Sequence, residues 1–158
     1  MKVMVIGPTG SGKTTVATEI AKRLDTVTTD ISTMLIDGFC EDQGVDKAEL
    51  LANKDAYRQA LYEYGRDTQR NVDPAYFVKE ALKKGDVVCG VRPRDEYEQS
   101  KHLFDIIVWV AGRGEVKPQD DLSEKDATVV IDNSGDIEET KKQIDWMIKQ
   151  AAITKEME

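Results

Sequence analysis

Eight residues near the start, Gly7-Pro8-Thr9-Gly10-Ser11-Gly12-Lys13-Thr14, match G-x-x-x-x-G-K-[ST] at every defined position. Each residue type has a physical task. The glycines, Gly10 and Gly12 among them, permit the backbone turns that aim successive N–H groups, Ser11 included, at one phosphate. The ammonium of Lys13 reaches the β and γ phosphates, and the hydroxyl of Thr14 is placed to meet Mg²⁺. Thr15 follows in the same turn. The helix that opens at Lys13 points its positive end at the same anion. The chemistry this spacing predicts is binding of a nucleoside triphosphate, read as ATP, together with Mg²⁺. The motif alone says nothing about what receives a phosphoryl group.

A second set of residues bears on that question. Of seven arginines, six (Arg58, Arg66, Arg70, Arg92, Arg94, Arg113) fall between residues 58 and 113, whereas the two ends of the chain use lysine almost throughout. Guanidinium groups bind phosphate and carboxylate in two-pronged fashion. The alternative for each is an ion pair on a solvated helix face.

These residues need a scaffold, and the apolar pattern supplies one. Residues 2–6 form an apolar, β-branched run ending at Gly7. Residues 27–30, 86–91, 105–111 and 127–132 form four more short runs. Near-continuous rather than alternating apolarity predicts strands covered on both faces, hence a parallel sheet with helices between. Residues 13–24 carry Val16, Ile20 and Leu24 at helical spacing. Asp73-Pro74 reads as an N-cap and first-turn proline, and Lys83-Lys84-Gly85 as a stop. Asp136 with Glu139 resembles a capping box, and the last six or so residues are expected to fray. Residues 31–71 are long, polar and mostly helical, with Tyr57, Leu61 and Tyr64 on one face. An excursion of that size between two strands calls for a function.

Composition narrows the class. The 158 residues are 40% hydrophobic and 33% charged, which suits one globular domain over residues 1–158. A net charge of −8, from 22 basic and 30 acidic residues, opposes binding of polymeric nucleic acid. Cys40 and Cys89 lie far apart and make neither a disulfide framework nor a zinc spacing. No run of 18 apolar residues exists for a membrane span, and the apolar start is too short for a signal peptide. The expectation is a cytoplasmic protein, monomeric or homodimeric.

Among proteins with such a loop, a GTPase needs a guanine-reading NKxD after a late strand. Asn53-Lys54-Asp55 is the near match, at the wrong spacing. A motor ATPase needs an acid at the end of an apolar strand, and the third strand ends Cys89-Gly90-Val91-Arg92. A kinase layout fits better, because its acceptor must be held in line and its charge neutralised. Arginines at the carboxyl ends of strands do that, and Arg92 and Arg113 sit just past strands three and four.

The order of GPTGSGKTT, Asp30 at the end of strand two, YRQALYEYGRDTQR (57–70), VVCGVRPRDEYE (87–98) and VVIDNSG (129–135) resembles the P-loop nucleoside monophosphate kinase superfamily. Within it, the chain is most similar to the phage-type deoxynucleoside monophosphate kinases. The resemblance implies an α/β fold: a three-layer P-loop kinase with a five-stranded parallel sheet in the order 2-3-1-4-5. It implies a monophosphate-binding insertion at about 31–71 and a short lid at about 111–126. It implies that Arg92 grips the acceptor phosphate, that Arg58, Arg66 and Arg70 face the acceptor, and that its pocket begins at Asp30 and Ile31. Asn133, Ser134 and Gly135 would lie along the adenine, and Arg113 is similar to a lid arginine acting with Lys13 and Arg92 in catalysis. Many relatives carry an aspartate where Gly90 stands, so Asp30 joins Thr14 as a candidate for ordering the metal.

The implied reaction is ATP- and Mg²⁺-dependent phosphorylation of a (deoxy)nucleoside monophosphate. Two other readings stand beside it. One is a kinase of another small acceptor, of dephospho-coenzyme A or hydroxy acid type, with Asp30 as base. The other is a nucleotide-binding module without an acceptor. Several residues have plain alternatives. Asp30 serves equally as a helix cap, Arg66 pairs with Asp67 or Asp73, and Arg94 sits in a solvated turn. Two of Tyr57, Tyr62 and Tyr64 pack in the insertion's core. His102 is a surface residue, and Gln119-Asp120-Asp121 is an acidic run that meets either Mg²⁺ or solvent.

Overall fold

The computed structural model describes residues 1–116 and 121–157. Four central residues, Val3–Ile6 (β1), are all buried. Their side chains alternate between the two faces of a sheet. Val3 and Val5 pack with Val16, Ile20, Ile144 and Met147, while Met4 and Ile6 pack with Ile31, Phe77, Val78 and Tyr97. The first set belongs to α1 (Lys13–Arg23) and α7 (Ile137–Met157). The second belongs to α2 (Ile31–Gln43), α5 (Tyr76–Leu82) and α6 (Arg94–Ser100). Each fully buried aliphatic side chain contributes roughly 1.5–3 kcal/mol.

The other strands are β2 (Thr28–Asp30), β3 (Val87–Cys89), β4 (Ile106–Ala111) and β5 (Val129–Asp132). All pairings are parallel and the order is β2-β3-β1-β4-β5, as the resemblance implies. Met4 pairs with Val88 on one side and Ile107 on the other. Coverage on both faces holds for β1, β3 and β4. It does not hold at the edges, where β2 is half-buried and Val130 of β5 is 42% exposed. An edge strand has a neighbour on one side only, so fewer helices reach it.

Residues 31–71 fold as α2, α3 (Lys47–Ala52) and α4 (Lys54–Asn71). Gly44 ends α2 in the left-handed conformation, and Asp46 caps α3 by accepting the Glu49 N–H. Ile36, Phe39 and Leu50 form a small separate core with Tyr57, Leu61 and Tyr64. Tyr57 and Tyr64 both meet Phe39 edge to face, and Tyr62 is 61% exposed.

Two expectations at helix ends shift. Asp73 accepts the Ala75 N–H in a local turn, so α5 opens at Tyr76, two residues past the proline. The chain beyond residue 152 stays helical as far as Met157 instead of fraying. Asp136 opens α7 as expected, accepting the Glu139 N–H at 2.9 Å.

Candidate functional site

The carboxyl ends of all five strands face one edge of the sheet, where open α/β folds bind ligands. Asp30 ends β2, Arg92 lies three residues past β3, Arg113 two residues past β4, and Asn133 directly follows β5. The phosphate loop joins β1 to α1 at the middle of this edge.

Within that loop Gly10 (φ 81°) and Gly12 (φ 92°) are left-handed, as the turn demands. Gly12 stands at the N-cap of α1, and no side chain caps that helix. Its first N–H groups therefore have no side-chain oxygen competing with a phosphate. Lys13 lies back over the loop and donates to the Gly7 carbonyl at 2.7 Å and the Pro8 carbonyl at 3.2 Å. Thr14 and Thr15 are exposed at the mouth. The hydroxyls of Thr9 and Ser11 are buried with no hydrogen-bond partner among the described residues. This set of orphaned hydroxyls, uncapped N–H groups and an adjacent ammonium suits a triphosphate. Among the described residues no three His, Cys, Asp or Glu side chains gather as a metal cage. Were a magnesium ion to bind here with a nucleotide, the exposed Thr14 hydroxyl would be a candidate protein donor.

The ends of β2 and β3 form the other side of this edge. Gly90 is left-handed (φ 95°), and a Cβ there would stand 3.1 Å from Asp30 Oδ1. The Asp30 carboxylate thus lies beside Gly90. It caps α2 by accepting the Ser32 N–H at 2.7 Å, and Oδ2 accepts the Cys89 thiol at 3.6 Å. Burial, then the neighbouring Asp30 charge, pushes the Cys89 thiol up to about 12, so it stays protonated. Ile31, the first residue of α2, packs into the core. Arg92 shares a small cavity with Gly7, Trp109, Asp121 and Leu122, and its buried Nε has no partner among the described residues.

The remaining arginines are committed differently. Arg58 pairs with Asp55 and Arg70 with Asp67, each one turn away on its own exposed helix face. Arg66 grips Asp95, not Asp67 or Asp73. Arg94 binds both oxygens of Asp126 and the Asp121 carbonyl, and so anchors the far end of the 111–126 segment. Arg113 donates to the Gly135 carbonyl at 2.9 Å. Its neighbour Gly114 lies directly on the phosphate loop, where Glu115 donates its N–H to the Thr9 carbonyl at 3.2 Å. The middle of this segment, with Gln119 and Asp120 of the acidic run, lies outside the described residues.

Asn133 faces inward. Its amide donates to the Ser11 carbonyl at 2.9 Å, and its oxygen accepts the Thr140 hydroxyl at 2.8 Å. Both of its polar ends are thereby spent inside the protein. Ser134 is exposed and Gly135 half-exposed beside it. Thr140, Gln69 and Glu96 escape a reading of the sequence. Nothing in local spacing marks a threonine on α7 or a glutamate on α6 as fully buried.

No protein-family model matches the chain, and no curated protein does. Solved structures do. Shikimate kinase from Aquifex aeolicus superposes with a TM-score of 0.56 at 15% identity, covering 96% of this chain and 98% of that one. Shikimate kinase from Bacteroides thetaiotaomicron gives 0.56 at 13%, covering 95% and 97%. A protein of Thermus thermophilus gives 0.55 at 16%, with the same coverage. With its all-parallel sheet in the order β2-β3-β1-β4-β5 and a phosphate loop after the central strand, the chain has the P-loop kinase fold.

Proposed function

We propose that this protein transfers the γ-phosphoryl group of ATP to a nucleoside monophosphate, giving ADP and the diphosphate. A deoxynucleotide acceptor is favoured by the resemblance to phage-type kinases. The observation that carries the reading is that Gly7 and Arg92 line one crevice, about 10 Å³ and so closed to a phosphate until the site opens. It sets the phosphate loop beside a guanidinium whose Nε has no partner among the described residues. Two anionic groups brought tail to tail need cations on both sides.

The roles follow from position. Lys13 releases the loop carbonyls and turns to the β and γ oxygens. Thr14 would hold a Mg²⁺ ion, which would supply charge neutralisation on the triphosphate, with Asp30 the candidate to order its water. Arg92 binds the acceptor phosphate. Arg58 and Arg70, exposed on α4, swing from Asp55 and Asp67 to the acceptor. Ser134 and Gly135 border the adenine side, and Arg113 closes over the reaction from the 111–126 segment. The acceptor phosphate is already anionic, so no strong base is required. Catalysis is positioning and charge neutralisation. A coupled ADP-release assay with ATP, Mg²⁺ and the eight common monophosphates tests this. Stimulation by one or a few is expected, and no stimulation by any refutes it.

A second reading is a kinase of a small hydroxyl-bearing acid. It is supported by two similar structures that are shikimate kinases and by Asp30, a carboxylate at the mouth with no cation bound to it in the described residues. There Asp30 would act as base. Asp30→Asn would then cost far more turnover than Arg58→Ala, whereas the monophosphate reading expects the opposite ranking.

A further inference from the structure

Four side chains form a relay between α4 and the loop that carries Arg92. Arg66 holds Asp95 with two bonds, Nη1 to Oδ1 at 3.0 Å and Nη2 to Oδ2 at 2.8 Å. The same Nη1 donates to Gln69 Oε1 at 2.8 Å, and Gln69 Nε2 donates to Glu96 Oε2 at 2.5 Å. The backbone N–H of Arg92 faces the Glu96 carboxylate and favours its charged form. Gln69 is 5% exposed and Glu96 1%.

A buried carboxylate is a poor way to stabilise a helix packing. Apolar residues of the same volume do as well or better. What a carboxylate does that they cannot is accept two N–H groups at once and fix the angle between them. Here the two donors belong to different units. One is a side chain of the 31–71 segment, and the other is the main chain of Arg92. The start of α6, two residues past Arg92, is thereby fastened to α4, while among the described residues the Arg92 Nε has no partner.

We propose that Glu96 is a positioning residue: through Gln69 it locks α4 to the Arg92 loop and holds the guanidinium at a set distance from the phosphate loop. The inference rests on reading Arg92 as the arginine that binds the acceptor phosphate.

The test exchanges donor and acceptor. Glu96→Gln alone leaves one carbonyl oxygen for two donors. Gln69→Glu alone sets two carboxyl groups face to face. The double variant restores every bond. The carboxylate introduced at position 69 accepts from Arg66 and from the amide introduced at position 96, and the oxygen of that amide still faces the Arg92 N–H. Trp109 lines the same cavity as Arg92 and reports on it by fluorescence once the other tryptophan is removed by Trp146→Phe. Inorganic phosphate is titrated with the phosphate loop filled by saturating Mg-ADP. Each single variant is expected to weaken phosphate binding about tenfold, a loss of one buried hydrogen bond. The double variant is expected to return within about threefold of the parent, with Mg-ADP affinity unchanged throughout.

Unchanged phosphate binding in the single variants overturns the proposal. So does a double variant no better than the singles, an equal loss of Mg-ADP affinity, or a parent that gives no phosphate response. A parent that binds phosphate here yet turns over no monophosphate overturns the proposed reaction instead, and the ranking of the four proteins still decides this inference.

Discussion

The side-chain amide of Asn133 donates to the main-chain carbonyl of Ser11 across 122 residues of sequence, and Thr140 holds that amide from behind. The phosphate loop is therefore braced from the end of β5 and the first turns of α7. A Cβ on Gly12 would collide with the same amide, so the loop glycine and the asparagine are fitted to one another.

Asn133→Ala should leave the buried Thr140 hydroxyl and the Ser11 carbonyl each short of a partner. The expected cost is about 1–3 kcal/mol of stability, seen as a lower Tm. The KM for ATP should rise more than that for the acceptor, because the loosened element is the phosphate loop. Thr140→Val should show the same pattern more weakly. Equal effects on both substrates would show that the brace does not shape the loop.

Lys13→Ala should nearly abolish turnover. Arg92→Ala should raise the acceptor's KM and lower kcat, a loss of roughly 2–4 kcal/mol in the transition state, or about 30- to 1000-fold in kcat/KM. Steady-state kinetics with both substrates varied checks this. Wild-type constants for Arg92→Ala would remove it from the acceptor site.

Gly90→Asp tests the left-handed turn over Asp30. An L side chain at φ 95° is strained, and its Cβ presses on Asp30 Oδ1. A cost of at least about 1–2 kcal/mol is expected from the backbone alone. Like-charge repulsion of two adjacent carboxylates adds to it and raises the pKa of the pair. Thermal melts at pH 5 and pH 8 should show the variant falling further below wild type at the higher pH.

The buried carboxyl group of Glu96 sets a pH dependence of its own. Burial pushes it up to about 7 from an ordinary 4.5, against the partial relief of the Gln69 hydrogen bond. A raised folded-state pKa contributes stability below the unfolded value that is lost as pH rises through the folded one, here between 4.5 and about 7. The shift corresponds to at most about 3 kcal/mol. Asp95 and Asp126 act in the opposite sense. Their hydrogen bonds from Arg66 and Arg94 hold them below 3.8, so their contribution is present above that value and lost in acid. Together these place the stability maximum at about pH 4–4.5, an order-of-magnitude position from the linkage. Glu96→Gln should remove most of the decline in Tm between about pH 4.5 and 7. An unchanged decline would mean that Glu96 does not titrate in this range.

Much of this architecture is legible in the linear chain, for a local reason. The phosphate loop is a contiguous string, and its glycines, lysine and hydroxyl act within one turn of backbone. The apolar runs of β1, β3 and β4 read as buried strands because hydrophobic burial selects residue types directly. The same logic gave too much at β2 and β5, where apolar residues stand at an edge with one face open.

What only the tertiary structure decided is which charged and polar groups meet. Arg66 finds Asp95 at a separation of 29 residues, Gln69 finds Glu96 at 27, and Asn133 finds Ser11 at 122. A guanidinium offers the same donors to a protein carboxylate as to a phosphate, so residue type alone cannot separate a structural arginine from one left to bind an anion. Packing makes that distinction: it spends Arg66 and Arg94 on carboxylates, while it buries the Nε of Arg92 beside the phosphate loop without a partner among the described residues.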